Sequence, residues 1–224
     1  PAVARPFAPV WDATAARLDP LGRYDAPLDP ALAARDGRMR LTAARWRVGP
    51  AAECRIVRIL GAAAEVVNVL IFPADPGRVP VFAAELLAVG GRPRLAFLDL
   101  QTPGQADDVR GAVAGRARAV AARFAGLPRD PDPPGWAVRH SPGGFLFTRT
   151  DDPGHAPDLC AACLAYLGAW ADLAAGPPAP VAGGSDALAA YKREHLTHAP
   201  SRPFLAKVYG DAWADRFLAE FLYG

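Results

Sequence analysis

The stretch Cys54–Pro103, CRIVRILGAAAEVVNVLIFPADPGRVPVFAAELLAVGGRPRLAFLDLQTP, decides how the rest of the chain can fold. Four apolar, β-branched runs, Cys54–Leu60, Glu65–Phe72, Pro80–Ala88 and Arg94–Gln101, are set apart by Gly, Pro and Asp. Each has the length of one strand. The connections Gly61–Ala64, Ala74–Val79 and Val89–Pro93 are too short to hold the crossover helix that a parallel pair requires, which predicts an antiparallel meander. Three polar side chains interrupt the apolar block: Asn68, Glu85 and Asp99. A carboxylate in an apolar strand is expensive to bury unless it is paired or hydrogen-bonded, so each needs a structural partner or a ligand.

Working outward, residues 1–9 are Pro-rich and are expected to be disordered. Val10–Leu18 predicts a helix with Trp11, Ala15 and Leu18 on one face, ended by Pro20-Leu21-Gly22. Pro27 and Pro30 keep Tyr24–Ala34 irregular. Met39–Val48 alternates as a first strand, with Leu41, Ala43 and Trp46 towards the core, and Gly49-Pro50 turns it into the meander. After Pro103 the pattern becomes helical: Gln105–Ala125 opens with Asp107 and Asp108 and stops at Gly126-Leu127-Pro128. A Pro/Asp loop, a last strand at Gly143–Arg149 and a helix at Asp158–Ala174 follow. Beyond the Pro/Gly loop Gly176–Gly184, the tail reads as helix in two pieces, broken around His198–Pro203. The sum is one domain over residues 1–224, α/β in class, a three-layer α/β/α sandwich around a central antiparallel sheet of about six strands.

Composition narrows the function. The net charge is +2, with 25 basic and 23 acidic residues intermixed, which is not the footprint of a nucleic-acid binder. No apolar run approaches the roughly 20 residues of a membrane span, and the N-terminus has no signal pattern, so a cytoplasmic protein without a membrane span is expected. Cys54, Cys160 and Cys163 form neither a zinc spacing nor a redox pair at a helix start; we expect reduced thiols, with the CxxC as small packing residues of a helix. No Gly-rich fingerprint, P-loop, GxSxG or HExxH occurs. Any redox chemistry must therefore import its electrons.

Several blocks resemble one family, the ferredoxin-dependent bilin reductases. They are Val67-Asn68-Val69 leading to Phe72-Pro73, Pro80-Val81-Phe82 with Glu85-Leu86-Leu87, and Leu98-Asp99-Leu100-Gln101. In the tail they are Tyr191, Phe204-Leu205, Tyr209-Gly210-Asp211-Ala212-Trp213-Ala214, Phe217-Leu218 and Phe221-Leu222-Tyr223. Together they span roughly Arg38 to the last residue. The resemblance implies an α/β/α sandwich that binds an open-chain tetrapyrrole between its sheet and its C-terminal helices. It implies no metal and no bound cofactor, a monomer, and electrons from a transient ferredoxin partner. The reaction implied is reduction of biliverdin or a dihydrobiliverdin at a CH–CH bond, through a bilin radical protonated by side chains.

The resemblance also assigns residues. Glu85 falls where bilin reductases usually have a catalytic Asp, and a carboxylic acid held at raised pKa against an apolar ligand suits proton donation to a bilin radical. Its being Glu resembles red chlorophyll catabolite reductase, a relative acting on another linear tetrapyrrole. Asn68 falls at a site that is His in some members and Asn in others, suited to hydrogen-bonding a ring lactam. Many members carry an Asp in the tail turn that here reads His198-Ala199-Pro200. Ala199 cannot donate a proton, so His198 is the candidate second donor, with Asp99 a further candidate acid. Arg129 and Arg202 match basic positions that would meet the bilin propionates, and Phe82 and His195 are candidate substrate contacts. The arginine helix Arg110–Arg123 is a candidate ferredoxin face. The missing tail acid also motivates a bilin carrier that does not reduce its ligand, and Glu85 motivates an enzyme similar to red chlorophyll catabolite reductase acting on a chlorophyll-derived linear tetrapyrrole.

Overall fold

The computed structural model describes residues 3–49, 52–176 and 184–224, with backbone alone at 136 and 137. Helix α1 (Pro9–Leu18) comes first, followed by the three-residue strand β1 (Arg23–Asp25), the short helix α2 (Pro30–Ala33) and the two-residue strand β2 (Ala34–Arg35). Strand β3 (Met39–Val48) leads into the meander β4 (Ala52–Gly61), β5 (Ala64–Pro73), β6 (Val81–Val89) and β7 (Arg92–Gln101). Helices α3 (Asp107–Arg123) and α4 (Gly135–Val138), strand β8 (Leu146–Arg149) and helix α5 (Ala156–Ala174) follow. The tail carries α6 (Gly184–Thr197), α7 (Arg202–Tyr209) and α8 (Asp211–Arg216), the last running on through a π-helical turn at Phe217–Leu222.

Among the described residues all strands join one antiparallel sheet of eight strands in the order β1-β3-β4-β5-β6-β7-β8, with β2 pairing beside β1 on β3. Six were expected. The two extra ones are too short for a period of two to show in the sequence, and they form only because β3 is long enough to pair with both. The meander itself is as expected, and Gly90 and Gly91, at φ of 63° and 77°, make the β6–β7 turn that such backbone angles suit.

Both faces of the sheet are covered, which is why its strands read as nearly unbroken apolar runs. One face packs Cys54, Ile56, Val67, Val69, Phe82, Leu98 and Leu100 against α1, α3 and α5, where Tyr166, Leu167 and Trp170 are fully buried. The other packs Leu41, Val57, Leu70, Phe72 and Val81 against the C-terminal helices through Tyr191, Leu205, Phe217, Phe221 and Leu222. The cysteines are free thiols, and Cys163 is buried inside α5, where burial pushes its thiol up to about 12. It is a packing residue there. Among the described residues no group of His, Cys, Asp and Glu could hold a metal, and no helix is long and apolar enough to cross a membrane.

The N-terminal stretch departs from expectation from residue 3 onward. Phe7 is fully buried, its N–H donates to Glu65 at 3.0 Å, and Arg5 donates to the Ala64 carbonyl at 2.7 Å. Proline content signals an irregular backbone and says nothing of whether a following aromatic ring finds a core to enter. Residues 1 and 2, Pro50 and most of the Pro/Gly loop before α6 lie outside the described residues.

Candidate active site

Successive side chains on a strand point to opposite faces, so register decides which polar residues meet. Asn68 on β5 is paired with Val57 of β4 on one side and Glu85 of β6 on the other, and Glu85 is paired with Phe97 of β7. Directly opposed residues place their Cβ atoms roughly 5 Å apart. Asn68 and Glu85 are therefore neighbours on the face that meets the C-terminal helices. Between that face and those helices lies a cavity of about 330 Å³. Asn68, Glu85, Phe97 and Gln101 line its floor; Tyr191, His195, Phe204, Leu205 and Tyr223 line its roof.

The floor is chemically poised. Burial raises the Glu85 carboxyl above the ordinary range, and among the described residues no side chain pairs with it. The Oδ1 atom of Asn68 is buried and accepts no hydrogen bond. A half-buried acid beside an unused amide acceptor, in an otherwise apolar hollow, suits a ligand with N–H donors and a need for protons. Tyr223 adds a phenol whose pKa is raised by burial and by the nearby Glu85 carboxylate.

Asp99 is fully buried, two positions from Phe97 and from Gln101 on the same face, and it does not itself line the cavity. One carboxylate oxygen accepts from the Leu100 N–H at 2.8 Å and from Ser141 at 3.2 Å, while the other accepts nothing. Burial brings its pKa up to about 7 despite these bonds and one from Gln101. Gln101 in turn accepts from the Tyr191 hydroxyl, so Asp99 belongs to a buried polar tie between β7 and α6. Sequence separation hid this tie, whose two ends lie 90 residues apart.

The roof separates the two candidate histidines. His195 is 7% exposed, lines the cavity and lies over the Tyr191 ring at 4.0 Å between centroids. Its Nδ1 faces the Tyr191 carbonyl at 3.0 Å, and because a carbonyl only accepts, Nδ1 carries the proton of the neutral ring. Burial lowers its pKa. His198 is exposed just beyond the end of α6, bonded by Nδ1 to the Glu194 carbonyl at 2.9 Å, and it does not line the cavity.

Three expected substrate contacts are placed elsewhere. Phe82 is fully buried on the opposite face of the sheet, in the core beneath α1, α3 and α5. It stands three positions from Glu85, and a period of two puts residues three apart on opposite faces. Arg129 ties the end of α3 to the approach of β8, donating to the carbonyls of Ala121 and Phe145 at 3.0 and 3.1 Å. Arg202 is exposed and paired with Asp215 at 2.7 Å and Asp211 at 3.3 Å, an internal clamp between α7 and α8. The sequence reasoning gave no role to Tyr191, Gln101 or Tyr223, although Tyr191 and His195 stand one helical turn apart, the spacing of two residues on one face.

Comparison with known proteins agrees with this architecture. Residues 22–224 match the family model described as ferredoxin-dependent bilin reductase. A curated relative from Gloeobacter violaceus, 15,16-dihydrobiliverdin:ferredoxin oxidoreductase, is 27% identical over 170 residues, covering 73% of this chain and 69% of that protein. Phytochromobilin synthase from tomato, solved in complex with biliverdin, superposes with a TM-score of 0.84 at 16% identity, over 96% of this chain and 81% of that one. With the family model spanning all but the first residues, the chain belongs to the ferredoxin-dependent bilin reductases.

Proposed function

We propose that this protein reduces biliverdin or a dihydrobiliverdin at one carbon–carbon double bond, taking two electrons singly from reduced ferredoxin and two protons from the cavity. The observation that carries the reading is the adjacent pair Glu85 and Asn68 on the floor of a largely apolar cavity. The first electron gives a bilin radical anion, too basic to stay unprotonated. Glu85, whose carboxyl burial raises above its ordinary pKa, is the group positioned to donate to it. The buried Oδ1 of Asn68 accepts a lactam or pyrrole N–H and fixes which part of the ring system lies over Glu85. A second electron and a second proton complete the reduction. For that proton we assign His195 in preference to His198, because His195 lines the cavity and His198 does not, and the imidazole must first take a proton from solvent before it passes one to the bilin.

The test is anaerobic titration with biliverdin, followed by reduced ferredoxin and chromatography of the pigment. A shifted absorption band on mixing and a new bilin on reduction are expected. The Glu85→Gln variant should keep the shifted band and lose about 10²- to 10⁴-fold in turnover, the usual contribution of a positioned acid. Unchanged turnover in that variant removes Glu85 from the chemistry. A shifted band without conversion identifies a carrier, and no shift at all rejects the tetrapyrrole reading.

A further inference from the structure

The sheet face that floors the cavity changes character on the strands beside it. Arg45, Arg55 and Leu70 stand in one register row and Arg47, Glu53 and Phe72 in the next, on neighbouring strands. Leu70, and Val57 and Ile59 of β4, line the cavity, so the basic cluster begins at Arg55, two residues along β4 from the cavity floor. A second hollow, of about 310 Å³, opens there and is lined by Tyr24, Arg47, Glu53, Phe72, Leu188 and Lys192 among others. Glu53 pairs with Arg45 at 2.7 Å and Arg55 at 2.6 Å. Arg47 is exposed and has no ion pair among the described residues. Lys192 and Arg55 both donate to the Gly224 carbonyl, at 2.8 and 2.6 Å. Burial, and then the Arg55 charge, bring the Lys192 ammonium down to about 8. Among the described residues Glu53 is thus the one carboxylate side chain bonded to any of these four cations. An excess of like charge opposes folding, and an approaching anion is what relieves it.

Two further features decide what that anion is. The hollow is shallow and open, with the exposed Tyr24 ring at its edge, 53% accessible. Phe72 lies beneath it, under the Lys192 ammonium at 4.4 Å, and meets the Tyr191 ring edge-on at 6.4 Å. Tyr191 is a wall of the cavity. The basic surface and the substrate site are therefore separated by two rings in contact. The exposed arginines of α3, Arg116, Arg118 and Arg123, lie on the far side of the sheet, with the larger core between them and the cavity.

We propose that the face formed by Arg45, Arg47 and Lys192 around this hollow is where the iron–sulfur electron donor docks. The proposal rests on the bilin-reductase reading above. An iron–sulfur cluster held by four thiolates carries net negative charge in both redox states, so the donor's cluster end and a cationic surface are complementary. Each docking passes one electron: the cluster is oxidised by one, the bilin is reduced by one, and the proton comes from the cavity. No bond forms on this face.

The experiment is steady-state turnover of biliverdin against reduced ferredoxin, in the wild type, Arg47→Glu and, on α3, Arg116→Glu. Turnover driven by reduced methyl viologen, which needs no docking face, is measured in parallel. We expect Arg47→Glu to raise KM for ferredoxin about tenfold, to flatten its dependence on salt and to leave kcat and the viologen rate unchanged, as for a charge at an interface rim. Arg116→Glu should behave as wild type. An unchanged ferredoxin KM in Arg47→Glu overturns the proposal, and if Arg116→Glu raises it instead, the donor docks on α3. If phosphate stabilises the wild type but not an otherwise normal Arg47→Glu, the hollow is a small-anion site and the proposal falls. A wild type that reduces bilin with neither donor refutes the reductase reading itself, and the docking face with it.

Discussion

Asp99→Asn separates the electrostatic cost of a buried acid from its packing. The carboxyl is fully buried and its pKa is brought from 3.8 up to about 7. Between these two values the folded chain holds a proton that the unfolded chain has released, so raising the pH favours unfolding. A difference of about three pH units corresponds to about 4 kcal/mol. That stability is fully present below pH 4 or so and is lost as the pH rises through about 7. Asparagine keeps an acceptor for the Leu100 N–H and for Ser141, yet cannot ionise. Its new amide N–H replaces an oxygen that bonds to nothing, which costs about 1–3 kcal/mol at every pH. That offset cancels when the same comparison is made at two pH values. Urea unfolding of both proteins at pH 5 and pH 8 should therefore show the wild type losing about 3 kcal/mol relative to the variant over that interval, with unchanged m-values. A wild-type-minus-variant difference that is equal at the two pH values, within about 1 kcal/mol, would mean that Asp99 is ionised throughout and that the buried tie is ionic.

Two further substitutions test the placement of side chains. His195→Gln should lower turnover at least tenfold and shift its pH profile, while His198→Gln should leave both unchanged; rate profiles over pH 5–9 decide, and equal effects would return His198 to the site. Phe82→Ala should cost about 3–5 kcal/mol in urea unfolding, because a fully buried ring is lost from the core under α5, while biliverdin affinity of the folded protein stays the same. A selective loss of affinity would place Phe82 against the substrate.

The meander was legible because its evidence is local: apolar runs of strand length and connections too short for a crossover. The pairing of Asn68 with Glu85 was not legible, since register depends on where β5 turns into β6; the resemblance gave each residue a role but not their adjacency. Phe82 shows a signal that was present and went unused, because strand alternation alone sets it opposite Glu85. The histidines differ in kind. His195 and His198 are three residues apart and would share a helix face if α6 continued. The helix ends at Thr197, and a boundary error of one residue exchanges a wall of the cavity for a surface side chain. Arg129 and Arg202 match basic positions of the family, and a matching position does not say whether an arginine is already occupied by carbonyls or by Asp215.

The charges around the cavity also constrain how a tetrapyrrole would enter. Among the described residues lining it there is no lysine or arginine, and the ionisable groups present are Glu85, His195 and two tyrosines. A propionate carried inside would lose its hydration with no cation to replace it. On the proposed reading the bilin therefore enters ring edge first, its lactam and pyrrole N–H groups towards Asn68 and its carboxylates left at the opening in water. The same arrangement leaves the Glu85 pKa raised by burial. A propionate fixed by a buried arginine would bring a cation to the cavity floor, and a cation beside Glu85 would lower its pKa and remove the acid the reduction needs. The absence of cations from the floor and the raised pKa of Glu85 are in this sense one design.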